Sequence, residues 1–222
     1  MIIPDGNRRY AIKNKITLIE GYKKASEIAT KCIEWLLKDF NIKIFSAFSI
    51  SLDNVLKRTP GELKPIYRIQ AETYGKWLSS NLLKREKIRV KFIGEVSLLP
   101  DYYQNIIKKV EDETKNNTKH FLNILCAYSG KLEMLKTAQK FFINNKNLNY
   151  ESVTKFFKFL SVPKPVDLVI RTGGEKRLSD CLNYQTGYSE LYFTDKFFPE
   201  LTKEDIKMAL EDYANREIKG GR

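Results

Sequence analysis

The chain has 222 residues and a formal net charge of +12, long enough for one domain with a real core and basic enough to predict an anionic partner such as a diphosphate, a nucleic acid or an acidic membrane surface. Three scattered cysteines (Cys32, Cys126 and Cys181) and the single histidine His120 argue against a disulfide framework, a zinc centre and a histidine-based triad. With no 18-residue apolar run and no visible signal peptide, the expectation is a cytoplasmic protein without a spanning helix.

An apolar stub, Ile2–Pro4, reads as a first strand and runs into Asp5-Gly6-Asn7-Arg8-Arg9-Tyr10. Strand, tight glycine turn and helix is the layout of a phosphate-cradling loop. Asp5 is a hard oxygen ligand of the kind Mg²⁺ takes together with water and substrate phosphate. An Asp-Gly turn after a strand is also common with no ligand at all, so this loop alone is a weak signal. Leu18–Leu37 is an amphipathic helix with Gly21, Ala25, Ile28, Ala29, Cys32, Ile33 and Leu36 on one face. Strands are predicted at Ile44–Phe48, Val90–Ile93 and Phe121–Cys126, and helices over Gly61–Leu83, Pro100–Lys115, Lys131–Asn144 and Glu151–Leu160. Two prolines between Ser161 and Pro165 break the chain before the next strand.

That strand, Asp167–Arg171, stops abruptly at Arg171-Thr-Gly173-Gly174-Glu175-Lys176-Arg177-Leu-Ser179. Ligands of open α/β sheets bind just outside the carboxyl ends of strands. Arg171 and Arg177 would stand at that rim, with Ser179 as a hydroxyl donor and the Gly173–Gly174 backbone N–H groups facing the same place. Arginine forks and backbone N–H groups suit phosphate oxygens. A solvated loop with two surface arginines explains the same residues, and the chemistry alone divides evenly between the two. A last strand, Glu190–Phe193, and a last helix, Lys203–Ala214, complete a strand–helix alternation that predicts a single α/β domain: a mostly parallel sheet of about six strands flanked by helices.

Taken together, these segments resemble the cis-prenyltransferases of the undecaprenyl diphosphate synthase type, with an archaeal look from Pro4. Asp5 through Tyr10 resembles the family's first motif. Ala47-Phe48-Ser49 with Asp53-Asn54, and Glu62 beyond, resembles the second. Val90 through Gly94 and Asn123 through Lys131 resemble the third and fourth, Asp167 through Asp195 the fifth, and Tyr213 through Glu217 with Gly220-Gly221 the C-terminal end. The resemblance implies joining of an allylic prenyl diphosphate to isopentenyl diphosphate with Mg²⁺, the product growing in an apolar tunnel walled by Leu18–Leu37 and Tyr67–Leu83. It implies that Asp5 anchors the metal with Glu190 and that Gly6, Asn7, Arg8, Arg9 and Tyr10 hold the allylic diphosphate. Arg171, Arg177 and Ser179 would hold isopentenyl diphosphate, while Asn54 and Ser49 would lie near proton removal. It further implies a homodimer in which the C-terminal segment, with Lys219, Gly220, Gly221 and Arg222, reaches a partner's site, and a peripheral membrane contact for the lipid product.

The chain departs from the family pattern where relatives carry an arginine and a histidine after the first loop (Leu18 and Tyr22 here), and at Lys176, where a histidine is usual. Tyr10 stands for a usual tryptophan. These changes leave open an irregular coupling of two allylic diphosphates. A non-catalytic subunit is the other reading within the family, although such subunits usually lose the first-loop acid and arginines that this chain keeps. Outside it, a diphosphate hydrolase fits the same clamp. A nucleic-acid binder fits the charge but lacks a helix-turn-helix, zinc or RNA-recognition signature, so nucleic acid is not an expected partner.

Overall fold

A computed structural model describes residues 1–217, with Asn144 as backbone alone. The six expected strands form: β1 (Ile2–Ile3), β2 (Ile44–Ser51), β3 (Ile88–Ile93), β4 (His120–Tyr128), β5 (Leu168–Arg171) and β6 (Glu190–Phe193). They pair in the order β3-β4-β2-β1-β5-β6, every pair parallel. Inner strands of such a sheet are covered on both faces, which is why β4 is almost wholly buried. The edge strand β3 instead alternates, with Arg89 and Lys91 exposed, and charge on an edge discourages pairing with another chain.

Helices α1 (Asn7–Lys13), α2 (Leu18–Ile33), α3 (Leu52–Lys57), α4 (Pro60–Ser79), α5 (Leu82–Arg85), α6 (Asp101–Thr114), α7 (Gly130–Asn144), α8 (Tyr150–Phe157) and α9 (Lys203–Ala214) flank it. A capping box starts α2: Thr17 Oγ1 accepts from Glu20 N–H, and Glu20 accepts from Thr17 N–H at 2.8 Å. Its small face packs tightly, since a Cβ on Gly21 would lie 3.0 Å from the Ala11 methyl. The main core lies between the sheet and α2, α4, α6 and α9, and a smaller one around Val169, Cys181 and Leu182 fills the other face.

Three expected boundaries shift. The α2 hydrogen-bond pattern gives way after Ile33 to a π-helical turn over Glu34–Asp39. The single helix expected over Gly61–Leu83 breaks at Asn81, whose φ of 57° is left-handed. Strand β2 runs past Phe48 to Ser51 and leads straight into α3, which Ser51 caps by accepting from Asn54 N–H at 3.0 Å. Six residues are too few for a helical period to show in sequence.

Gly94, just after β3, is required for close approach. Its φ is +135°, and a Cβ there would lie 1.9 Å from the Cys126 carbonyl oxygen. Gly94→Ala is expected to destabilise the fold by about 2–5 kcal/mol through strain and overpacking; an unchanged urea midpoint would refute this.

Candidate active site

Strand order places β1 between β2, to which the chain first turns, and β5 on the other side. Loops leaving adjacent strands at such a switch point diverge and open a crevice at their carboxyl ends. Register Ile3↔Arg171 puts the end of β5 beside the end of β1. Thr172 ties the two exits together: its Oγ1 accepts from Asp5 N–H at 2.8 Å and donates to the Asp5 carbonyl at 3.0 Å.

Arg171 is buried, with 3% exposure. Its Nη2 donates to Asp5 Oδ2 at 2.8 Å, and its Nη1 donates to Ser179 Oγ at 2.7 Å and to the Arg177 carbonyl. Asp5 Oδ1 accepts from Gly6 N–H at 2.6 Å and from Arg9 Nη2 at 3.3 Å. Gly6 has a φ of +94°, and a Cβ there would strike the Phe197 ring at 2.5 Å, so the turn demands glycine. Burial works against the Asp5 carboxylate. The hydrogen bonds from Arg171 and Gly6 and the charges of Arg171 and Arg9 outweigh it and hold its pKa below the ordinary 3.8. A lowered folded pKa means that Asp5 contributes stability in full above the unfolded value and loses it as pH falls through the folded one. The melting-temperature gap between wild type and Asp5→Asn should therefore shrink in acid below about pH 4; a pH-independent gap would contradict this.

One cavity of about 1070 Å³ receives Asp5, Gly6, Asn7, Arg8, Arg9, Ser49, Asn54, Arg171, Arg177 and Ser179 in its lining. Its mouth is cationic: Arg8, Arg9, Arg58, Lys131, Arg171 and Arg177 stand against Asp5, Asp53 and Asp180. Its interior is mostly apolar, bounded by Ala25, Ala29, Cys32 and Ile33 of α2, Ile66, Ile69 and Trp77 of α4, and Phe45, Ile50 and Ile124 of the sheet. Side chains of α2 and of α4 thus border the same cavity. Asn7 Oδ1 and Arg171 Nε are buried with no hydrogen-bond partner, which leaves polar capacity open beside the mouth.

The single chain does not bring every expected group to the cavity. The Gly173 and Gly174 N–H groups do not face the cavity: they donate to the carbonyls of Lys196, at 2.8 Å, and Thr194, at 3.0 Å. Those glycines serve clearance instead, since a Cβ on Gly173 would lie 2.9 Å from Arg9 Nη2. Tyr10 is not part of the cavity lining. Glu190 does not join Asp5. It begins β6 opposite Leu168, whereas Arg171 faces Phe193, so parallel register sets it at the amino end of the sheet, where it pairs with Arg216. Lys219, Gly220, Gly221 and Arg222 lie outside the described residues.

Tyr22 does line the cavity, while Leu18 and Lys176 do not. Tyr22 accepts a 3.4 Å hydrogen bond from Arg58. Sequence reasoning missed Arg58 because a single arginine in a connection between helices carries no pattern; the fold supplies a cation here from α3–α4 rather than from α2.

Among the described residues no cluster of three or more His, Cys, Asp or Glu could hold a metal ion. Mg²⁺ commonly takes one or two carboxylates and fills the remainder with water and substrate phosphate. Asp5, a single hard carboxylate beside a guanidinium-lined cavity, fits that mode and not an all-protein cage.

Comparison with known proteins agrees with this geometry. A family profile described as "Putative undecaprenyl diphosphate synthase" matches residues 3–221. The chain is 38% identical, over 100% of its length and 94% of the relative's, to the tritrans,polycis-undecaprenyl-diphosphate synthase (geranylgeranyl-diphosphate specific) of Pyrobaculum aerophilum. It is 36% identical, over 100% and 89%, to the ditrans,polycis-undecaprenyl-diphosphate synthase ((2E,6E)-farnesyl-diphosphate specific) of Buchnera aphidicola. Among solved structures, lavandulyl diphosphate synthase from Lavandula x intermedia, in complex with dimethylallyl diphosphate, superposes with a TM-score of 0.88 at 27% identity, over 100% of this chain and 96% of that one. A cationic phosphate-suited mouth at the switch point, an apolar interior and sequence matches along the whole chain therefore agree: this chain belongs to the undecaprenyl diphosphate synthase family of cis-prenyltransferases.

Proposed function

We propose that the enzyme condenses isopentenyl diphosphate with an allylic prenyl diphosphate, with Mg²⁺, to give a cis-polyprenyl diphosphate. The observation that carries this reading is the continuity of one cavity from a mouth of arginines into an apolar interior. Such a shape suits a substrate with an anionic head and a hydrocarbon tail. Arg8 and Arg9 would grip the allylic diphosphate, and Arg171, Arg177 and Ser179 that of isopentenyl diphosphate. Pairing charge with the departing diphosphate where negative charge develops lowers the barrier to breaking the allylic C–O bond. Bound Mg²⁺ would supply further charge neutralisation there, with Asp5 to hold it. Asn54 and Ser49 would lie near the place where the proton leaves, and the apolar walls would exclude water from the carbocation-like centre.

The test is incorporation of labelled isopentenyl diphosphate with dimethylallyl, geranyl, farnesyl or geranylgeranyl diphosphate. Geranylgeranyl diphosphate comes first, because the Pyrobaculum relative is named as specific for it. A chain-extended product requiring Mg²⁺ is expected, and release of inorganic products alone would indicate a hydrolase. Irregular coupling of two allylic diphosphates draws support from Tyr22 with Arg58 at the cavity and from the likeness to the lavandulyl enzyme; it predicts a branched product from dimethylallyl diphosphate alone.

A homodimer is part of this reading. Leu135 and Ile143 of α7, Val153 of α8 and Phe159 are exposed apolar side chains, and a second copy would cover them. A monomer by light scattering at micromolar concentration would remove that part. No helix among the described residues is long and apolar enough to cross a membrane. A cytoplasmic enzyme touching an anionic membrane through its net charge is expected to leave anionic vesicles in high salt.

A further inference from the structure

Resting on the prenyl-transfer reading above, we propose that Gln70 and Tyr103 hold Ser49 as a hydrogen-bond donor aimed at a substrate diphosphate oxygen. The two are then positioning residues, and Ser49 is not the group that accepts the proton removed in the reaction.

Ser49 sits in an irregularity of β2. Phe48 pairs with Leu125 and Ile50 with Cys126, so Ser49 has no residue opposite it in the ladder. Such a bulge re-aims a side chain, and Ser49 lines the cavity. It follows by two positions the Ala47↔Ile2 pairing, which brings it level with the exit of β1 toward Asp5.

Behind Ser49 runs a chain of hydrogen bonds with a definite direction. Tyr103 is fully buried, and burial pushes its phenol well above the ordinary range, so it keeps its proton and must donate. Its nearest acceptor is Gln70 Oε1 at 2.7 Å; the Tyr74 hydroxyl and Cys126 Sγ lie at 3.3 and 3.5 Å. That sets the Gln70 amide, whose Nε2 then donates to Ser49 Oγ at 2.9 Å. The opposite amide orientation would set Nε2 against Tyr103 and send the phenol proton to one of the two longer contacts. A serine hydroxyl has one proton to give. With Gln70 donating to it, Ser49 directs that proton either into the cavity or to Tyr74, which also interacts with it. The cationic mouth recruits phosphate oxygens into the same cavity, and an anionic oxygen is the stronger acceptor.

The test is a double-mutant cycle. Ser49→Ala and Tyr103→Phe are each expected to lower kcat/KM about tenfold. The double variant should be no slower than Ser49→Ala alone, because Tyr103 acts only through Ser49. A merely structural role for Tyr103 would leave the two losses multiplying, and that outcome overturns the proposal, as does full activity in Tyr103→Phe. Tyr74→Phe should multiply with Ser49→Ala; if its loss vanishes in that background, the Ser49 proton goes to Tyr74 and the proposal fails. Should Tyr103→Phe not fold, Gln70→Met replaces it in the cycle with the same expectation. If the wild type extends no prenyl chain, the function reading falls separately, and the same cycle is read by calorimetry as affinity for inorganic diphosphate. Coupled losses there support Ser49 as a donor, and independent losses overturn it.

Discussion

Asp5→Ala is expected to lower prenyl transfer by about 10²–10³-fold and to destabilise the fold at the same time. Asp5 is the acid that both Arg171 and Arg9 contact, at 2.8 and 3.3 Å. Removing it takes away a candidate metal carboxylate and leaves the buried Arg171 guanidinium without a counter-charge. Breaking a fully buried ion pair costs about 3–5 kcal/mol; Asp5 is 31% exposed, so screening by solvent reduces that to about 1–3 kcal/mol. Asp5→Asn separates the two effects. Its amide oxygen can still accept a hydrogen bond from Arg171 or Gly6 but gives Arg171 no counter-charge, so only part of the stability should return at neutral pH while activity stays low. Activity within tenfold of wild type in both variants would sink the role given to Asp5.

The second large effect is at Arg171. Its two terminal nitrogens reach three groups on separate segments: Asp5 after β1, and Ser179 and the Arg177 carbonyl beyond β5. A lysine presents one point charge and cannot serve that fork. Arg171→Lys is therefore expected to raise KM for isopentenyl diphosphate about 10- to 100-fold, the worth of one or two charged hydrogen bonds, and to destabilise by about 1–3 kcal/mol. Measuring KM at saturating primer beside a urea titration checks both. An unchanged KM with reduced stability would confine Arg171 to holding the loops together.

The sheet was legible in the sequence because strands covered on both faces are mostly apolar. Ile2–Ile3, Phe121–Cys126 and Leu168–Ile170 could hardly be anything else once turn residues bounded them. The first loop was legible too, since only glycine suits the φ of Gly6 under the Phe197 ring. Short α3 was not legible, nor was the break at Asn81, because neither leaves a periodic trace longer than a turn. The role of the Gly173–Gly174 pair was misread for a related reason. A glycine pair says that the backbone bends or approaches something closely, and only the neighbours show whether its N–H groups meet a ligand or, as here, the carbonyls of Lys196 and Thr194.

By itself the sequence determined the fold class, the parallel strand–helix alternation, the family and the two arginine-bearing loops, because each is written in contiguous residues with local geometric demands. Tertiary structure alone decided which of those residues share a site. Strand order made β1 and β5 neighbours and so joined Asp5 to Arg171 across 166 positions of chain. Parallel register carried Glu190 to the amino end of the sheet, away from Arg171, and the β2 bulge turned Ser49 into the cavity. Arg58 reached the cavity from the α3–α4 connection and Gln70 from α4, with Tyr103 of α6 hydrogen-bonded behind it. Contacts of that kind depend on distances between segments, which no local pattern encodes.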